Sequence, residues 1–164
     1  MNLLTPLNSR LSRWAMYVAV AALLGIVAIV DWGVVNRYVF NDARPYVEQV
    51  ALLLVITVAM FGASAGVRDE GHIGMESLVG LLPDKWQFRI GITVGLLTIL
   101  FGVLLFWGCL TMARSVADNI IPTLGISEAF RYLPGIIAGV LIVLFSIEHL
   151  IAMVRGQEVV KSWY

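Results

Sequence analysis

Charge, cysteine and histidine are all scarce in this chain of 164 residues. Asp, Glu, Lys and Arg make up 13% of it, where a water-soluble domain carries about 25%. That shortage excludes a disordered chain and an ordinary soluble enzyme. Eleven basic residues balance eleven acidic ones, so no field of one sign is available to hold nucleic acid. A single cysteine, Cys109, forms neither an internal disulfide nor a cysteine-based metal site. Two histidines, His72 and His149, are too few for haem ligation on paired helices. Apolar residues take up the difference, at 60% of the chain with a mean hydropathy of +0.90. This is the composition of a small integral membrane protein.

A helix crossing the hydrocarbon core needs about 20 apolar residues at about 1.5 Å rise each. Four segments meet that need, and they predict spans over about 14–35, 47–67, 89–114 and 132–154. Backbone polar groups in lipid must be bonded within the segment, so the spans are helices, and four of them cannot close a barrel. Arg10 and Arg13 precede the first run as they would in a signal peptide. The run is longer than a signal core, however, and leads into Asp31-Trp32-Gly33 rather than a small-residue cleavage site. A retained helix is expected. The fold class is therefore all-α integral membrane, one four-helix domain over residues 1–164.

Orientation follows the bias of Lys and Arg toward the cytoplasm. Arg10, Arg13, Arg68, Lys85, Arg89, Arg155 and Lys161 fall on one side, against Arg37, Arg44, Arg114 and Arg131 on the other. Both termini are expected in the cytoplasm. Trp14, Trp32, Tyr38, Trp86, Trp107 and Tyr132 lie near span ends, where amphipathic rings favour the headgroup zone. Between the second and third spans, Met75, Leu78, Val79 and Leu82 repeat with helical spacing before Pro83. They predict a short cytoplasmic interfacial helix over about 73–82, lying against membrane lipids.

Signatures of enzymes are lacking: no HExxH, no glycine-rich phosphate loop and no GxSxG elbow. No catalytic, cofactor-binding or metal-binding residue is assigned. An ionisable residue within a span is a functional candidate by default, yet the middles of all four spans hold none. Asp31 and Glu48 stand near the outer ends, and Glu148 and His149 near the inner end of the fourth span. The last two are expected to reach the interface or to pair with a basic residue such as Arg155. Packing signals are plentiful instead. Gly62 and Gly66, Gly91 and Gly95, and Gly135 and Gly139 form GxxxG pairs, with Ala15 and Ala19 as a weaker version. Such pairs let backbones approach where lipid gives no hydrophobic drive to association. The spacing leaves open whether they face each other or a partner.

Two stretches carry more than composition. Asn36-Arg37-Tyr38-Val39-Phe40-Asn41, then Tyr46-Val47-Glu48-Gln49, joins the first two helices, and Arg68-Asp69-Glu70-Gly71-His72-Ile73 leaves the second. With the Ile121-Pro122-Thr123-Leu124-Gly125-Ile126 turn, they resemble the small membrane (Q) subunit of tripartite ATP-independent periplasmic (TRAP) transporters. Tyr46 stands where that family often has tryptophan, and Gln49 where it has a second acid.

The resemblance implies a subunit of a sodium-coupled secondary transporter of the bacterial inner membrane. Its partners would be a large membrane transport subunit and a periplasmic substrate-binding protein that captures a carboxylate such as a C4-dicarboxylate or sialic acid. Sodium and substrate sites would lie in the large subunit, and the small one would be a fixed scaffold without a cofactor. The matched residues take assembly roles: Arg37 pairs with Glu48 across the outer turn, and Asn41 caps that turn through its side chain. Arg68 and His72 hold the C-terminal end of the second helix, where cations are favoured. The alternative is a self-sufficient homodimeric exporter, for which Asp31 or Glu48 would have to serve as the membrane carboxylate. A membrane enzyme or redox anchor, with His72 and His149 as ligands, is a third reading.

Overall fold

The structure, a computed structural model, describes residues 4–42, 44–69 and 84–154. Four long helices dominate it: α1 (Leu4–Tyr38), α2 (Tyr46–Asp69), α3 (Asp84–Ser115) and α4 (Leu133–Val154). All four are long and apolar enough to cross a membrane. At about 1.5 Å per residue, the 35 residues of α1 reach about 52 Å, well beyond a hydrocarbon core of about 30 Å. The excess includes the stretch around Arg10 and Arg13, so the helix begins well before its charge-free run. The expected interfacial helix over 73–82 and His72 lie outside the described residues.

The helices form two antiparallel hairpins, α1 with α2 and α3 with α4, joined where α2 packs on α4. α1 touches α4 lightly, so the order across the molecule is α1, α2, α4, α3. α4 is the most enclosed, with neighbours on both sides.

Burial on α1 repeats every three or four residues. Asn8, Ser12, Ala15, Ala19, Ala22 and Asn36 are buried, and Ile26, Ile29 and Gly33 on the same seam are half-buried. This spacing is that of a coiled-coil seam, which keeps one face toward a partner over many turns. Small side chains occupy the seam, while Leu23, Leu24, Val27 and Trp14 are exposed. In lipid this polarity is sensible, because large apolar groups lose nothing by facing acyl chains and small ones permit close packing. An apolar core of Ala15, Ala65, Leu141 and Phe145 joins α1, α2 and α4 near the N-terminal end of α1.

The α1–α2 turn is pinned by Asp42 N–H donating to the Asn36 carbonyl at 3.0 Å. Trp32 Nε1 donates to Tyr46 Oη at 3.2 Å, tying the end of α1 to the start of α2. Between α3 and α4 the chain folds into a small hairpin, β1 (Ile120–Ile121) and β2 (Ile126–Ser127), with Ile120 opposite Ser127 and Ile121 opposite Ile126. Gly125 closes its turn with φ +67, a left-handed conformation that glycine adopts without steric cost. Ser127 then caps the 3-10 turn Glu128–Tyr132 by accepting from Ala129 N–H, and Ser127 Oγ donates to the Ala117 carbonyl at 2.7 Å.

Candidate functional site: glycine seams and a buried polar cluster

The face between α3 and α4 is built from glycine. A Cβ placed on Gly139 would lie 2.8 Å from Phe106 N and 3.0 Å from both Phe106 Cα and Gly102 O, all backbone atoms. Around that crossing, Gly135 abuts Cys109, Gly95 abuts Leu150 and Gly91 abuts Met153. Four glycines singled out by spacing, Gly91, Gly95, Gly135 and Gly139, thus meet on one antiparallel interface. Gly102 belongs to the same seam and was missed, because its counterpart Gly139 is on another helix rather than four residues away. Gly62 and Gly66 behave differently: a Cβ on either would meet nothing within 4 Å. Neither glycine of this pair makes a close helix contact among the described residues.

Spacing in the sequence also missed the chief polar feature. Arg68 stands in the last turn of α2, where it follows the apolar run, and is 1% exposed. Its Nη1 lies 3.0 Å from Asp69 Oδ1, and its Nε lies 3.3 Å from Glu148 Oε2 on α4. Asn8 Nδ2 of α1 donates to the same Glu148 oxygen at 2.8 Å, and Ser12 Oγ donates to Asp69 Oδ2 at 2.7 Å. His149 Nε2 lies 2.9 Å from the Arg68 carbonyl oxygen. A carbonyl only accepts, so this contact assigns the proton to Nε2, and it satisfies one of the carbonyls left open at the end of α2.

Of the two expectations for Glu148, pairing with a basic residue holds and reaching the interface does not; Arg155, offered as an example of that partner, lies outside the described residues. Glu148 is buried and its partner is Arg68, 80 positions earlier in the chain. The physical reason is desolvation: a carboxylate inside a packed bundle needs a counter-charge, and a guanidinium fork can serve two carboxylates at once. Asn8 and Ser12 could not be found from motifs, since single polar residues before an apolar run read as a solvated tail.

At the other end, the expected Arg37–Glu48 pair is not formed. Both residues are exposed, and the ion pair in that turn is Arg44 Nε to Asp42 Oδ2 at 2.8 Å. An exposed pair gains only about 0–1 kcal/mol, too little to order two distant side chains. The Asp42 hydrogen bond, with its negative charge, raises the Arg44 guanidinium above its ordinary value. Asn41 shapes the turn through its backbone rather than by a side-chain cap, with φ 50, a region asparagine enters more readily than most residues. Among the described residues, no cluster of three His, Cys, Asp or Glu is arranged to hold a metal ion.

Comparison with known proteins gives this architecture a family. The family described as "Tripartite ATP-independent periplasmic transporters, DctQ component" matches residues 26–156. A putative TRAP transporter small permease protein of Haemophilus influenzae is 23% identical over 133 residues, covering 79% of this chain and 81% of the relative. The sialic acid TRAP transporter small permease protein SiaQ of Vibrio cholerae is 20% identical over 139 residues, covering 84% and 80%. A shorter stretch of 77 residues, 47% of this chain, is 30% identical to a segment making 12% of the sialic acid TRAP transporter permease protein SiaT of Haemophilus influenzae. With four helices able to cross a membrane and a family match over most of its length, the chain belongs to the DctQ components, the small permease subunits of TRAP transporters.

Proposed function

We propose that this subunit is the fixed membrane scaffold on which a large transport subunit works. The uptake would be sodium-coupled and dependent on a periplasmic binding protein, with an organic acid such as sialic acid or a C4-dicarboxylate as cargo. The subunit sits in the bacterial inner membrane with both termini cytoplasmic, itself neither catalyses a reaction nor holds a cofactor, and leaves the sodium and substrate sites to its partner.

The observation that carries this reading is the placement of charge. No Asp, Glu, Lys, Arg or His occurs in the runs 50–67, 90–113 and 133–147, nor over 14–30 of α1. The buried charges lie together at one end of α2 and α4. A solute or ion pathway through the chain would need polar groups at mid-depth. The α3–α4 seam, with backbones in contact, also suits a part that stays still while a partner moves. The relatedness to small permease proteins and to a segment of a larger permease supports a large membrane subunit as partner.

The test is reconstitution. Proteoliposomes holding this chain alone should show no sodium-driven uptake of a carboxylate, while addition of the large subunit and binding protein restores it. Uptake by the isolated chain would refute the scaffold reading and favour the exporter.

A further inference from the structure

The buried cluster at the α1–α2–α4 junction is poorly made as a source of stability. Arg68, Asp69 and Glu148 are all withdrawn from solvent, with Arg68 at 1%, Asp69 at 8% and Glu148 at 7% exposure. Removing such groups from water costs several kcal/mol per ion, and attraction repays that only when every lone pair is satisfied. Here it is not. Glu148 Oε2 accepts from both Asn8 and Arg68, while Oε1 is buried with no partner among the described residues. An ionic network with one buried carboxylate oxygen unmatched is no better for stability than well-packed apolar residues of the same volume.

What the cluster does offer is position. Elsewhere α2 meets α4 through Ala65, Leu141 and Phe145, an apolar contact without a directional bond. The guanidinium tolerates no sliding: its Nε and Nη1 reach carboxylates on two helices in one fork, and a helical step of α2 along α4 would part Arg68 from Glu148 by about 5.4 Å. Asn8 ties α1 directly to the same Glu148 oxygen, and His149 ties α4 back to the Arg68 carbonyl. Three helices are thereby indexed to one another at one membrane end.

We propose that Arg68, Asp69 and Glu148 form a register clasp, with Asn8 and Ser12 as its α1 contacts. These are positioning residues that fix how the α1/α2 hairpin sits on the α3/α4 hairpin. The consequence for partner binding rests on the scaffold reading: a large subunit that docks across both hairpins reads the register the clasp sets.

The experiment separates register from stability. Spin labels at Leu24 on α1 and Leu100 on α3, both exposed, report the spacing of the two hairpins in the full chain, on a Cys109→Ala background. The uncharged variant Arg68→Met/Asp69→Asn/Glu148→Gln should keep the thermal midpoint close to the parent chain, while the distance distribution broadens or splits. Arg68→Lys keeps the charge and the fold but loses the fork, and should broaden the distribution as well. An unchanged distribution in Arg68→Lys and in the uncharged variant would overturn the proposal. So would an uncharged variant that unfolds as readily as Arg68→Ala, since the cluster would then be a stabilising element. Co-purification with the large subunit is read separately: loss in the broadened variants supports docking across the clasp, and retention there refutes that step. Failure of the parent chain to co-purify would count against the scaffold reading and leave the distance measurement standing.

Discussion

Replacing Gly139 by alanine adds one carbon atom to a place where two helix backbones touch. The new Cβ would lie 2.8 Å from Phe106 N and 3.0 Å from Gly102 O, and neither atom belongs to a side chain that can swing away. Relief requires α3 and α4 to move apart, and a gap of about 0.5–1 Å already forfeits a quarter to a half of the dispersion energy of each contact it opens. The same substitution at Gly62 meets nothing within 4 Å. Both changes gain the same intrinsic helix propensity, about 1 kcal/mol, so the difference between the two variants isolates the seam. Overpacking of a close contact costs about 1–3 kcal/mol. Gly139→Ala should therefore unfold more readily than Gly62→Ala by about that amount, read by thermal or denaturant unfolding of the purified subunit in detergent. Equal stabilities would refute the reasoning, because they would mean that the α3–α4 backbones are not in contact.

Three further outcomes follow from named contacts. Gly91→Ala should cost less than Gly139→Ala in the same assay, since the atoms in its way are Cε and Sδ at the end of the flexible Met153 side chain. Gly125→Ala should lose about 1–2 kcal/mol from the left-handed backbone alone, because φ is +67 and its Cβ position is open; Gly125→Asn should recover part of that loss, compared by thermal midpoint. Arg37→Ala and Glu48→Ala should be additive within about 0.3–0.5 kcal/mol in a double-mutant cycle, as the two exposed residues form no ion pair; a larger coupling would place them in contact.

Element type was legible in the sequence, and contact was not. The four spans are readable because lipid imposes one demand on every spanning segment, namely a long uncharged run whose backbone bonds internally. Which face of each helix turns inward is not readable from hydropathy. On α1 the buried seam is Asn8, Ser12, Ala15, Ala19 and Ala22, while Leu24 and Trp14 are outside. A rule that sends large apolar residues inward would choose the wrong face. The GxxxG pairs show the same limit. Gly62/Gly66 and Gly135/Gly139 share the same spacing, yet the first pair is open, while Gly135 meets the Cys109 side chain and Gly139 the α3 backbone. Local spacing says that a helix can be approached, and only the fold says by what.

The polar cluster was hidden for a different reason, its range. Arg68 and Glu148 are separated by 80 positions, and each alone is what a membrane helix normally shows near its end. Only the packing of α2 on α4 turns two interfacial charges into a buried pair. Lipid supplies no hydrophobic force between helices, so each contact in this chain needs its own device. α3 and α4 use glycine and close backbone approach, α1 and α2 use a seam of small residues, and α2 and α4 add charge to a short apolar core. The first two devices set distance but leave sliding along the helix axis weakly opposed. An ion pair with two anchored ends opposes sliding strongly and contributes less to distance. The charge is found where a hairpin meets a hairpin, with no short turn joining α2 to α4 to fix their register. α1 and α2 are already joined by a short turn pinned by Asn36 and Asp42, to which the Ser12–Asp69 bond adds a second tie at the far end.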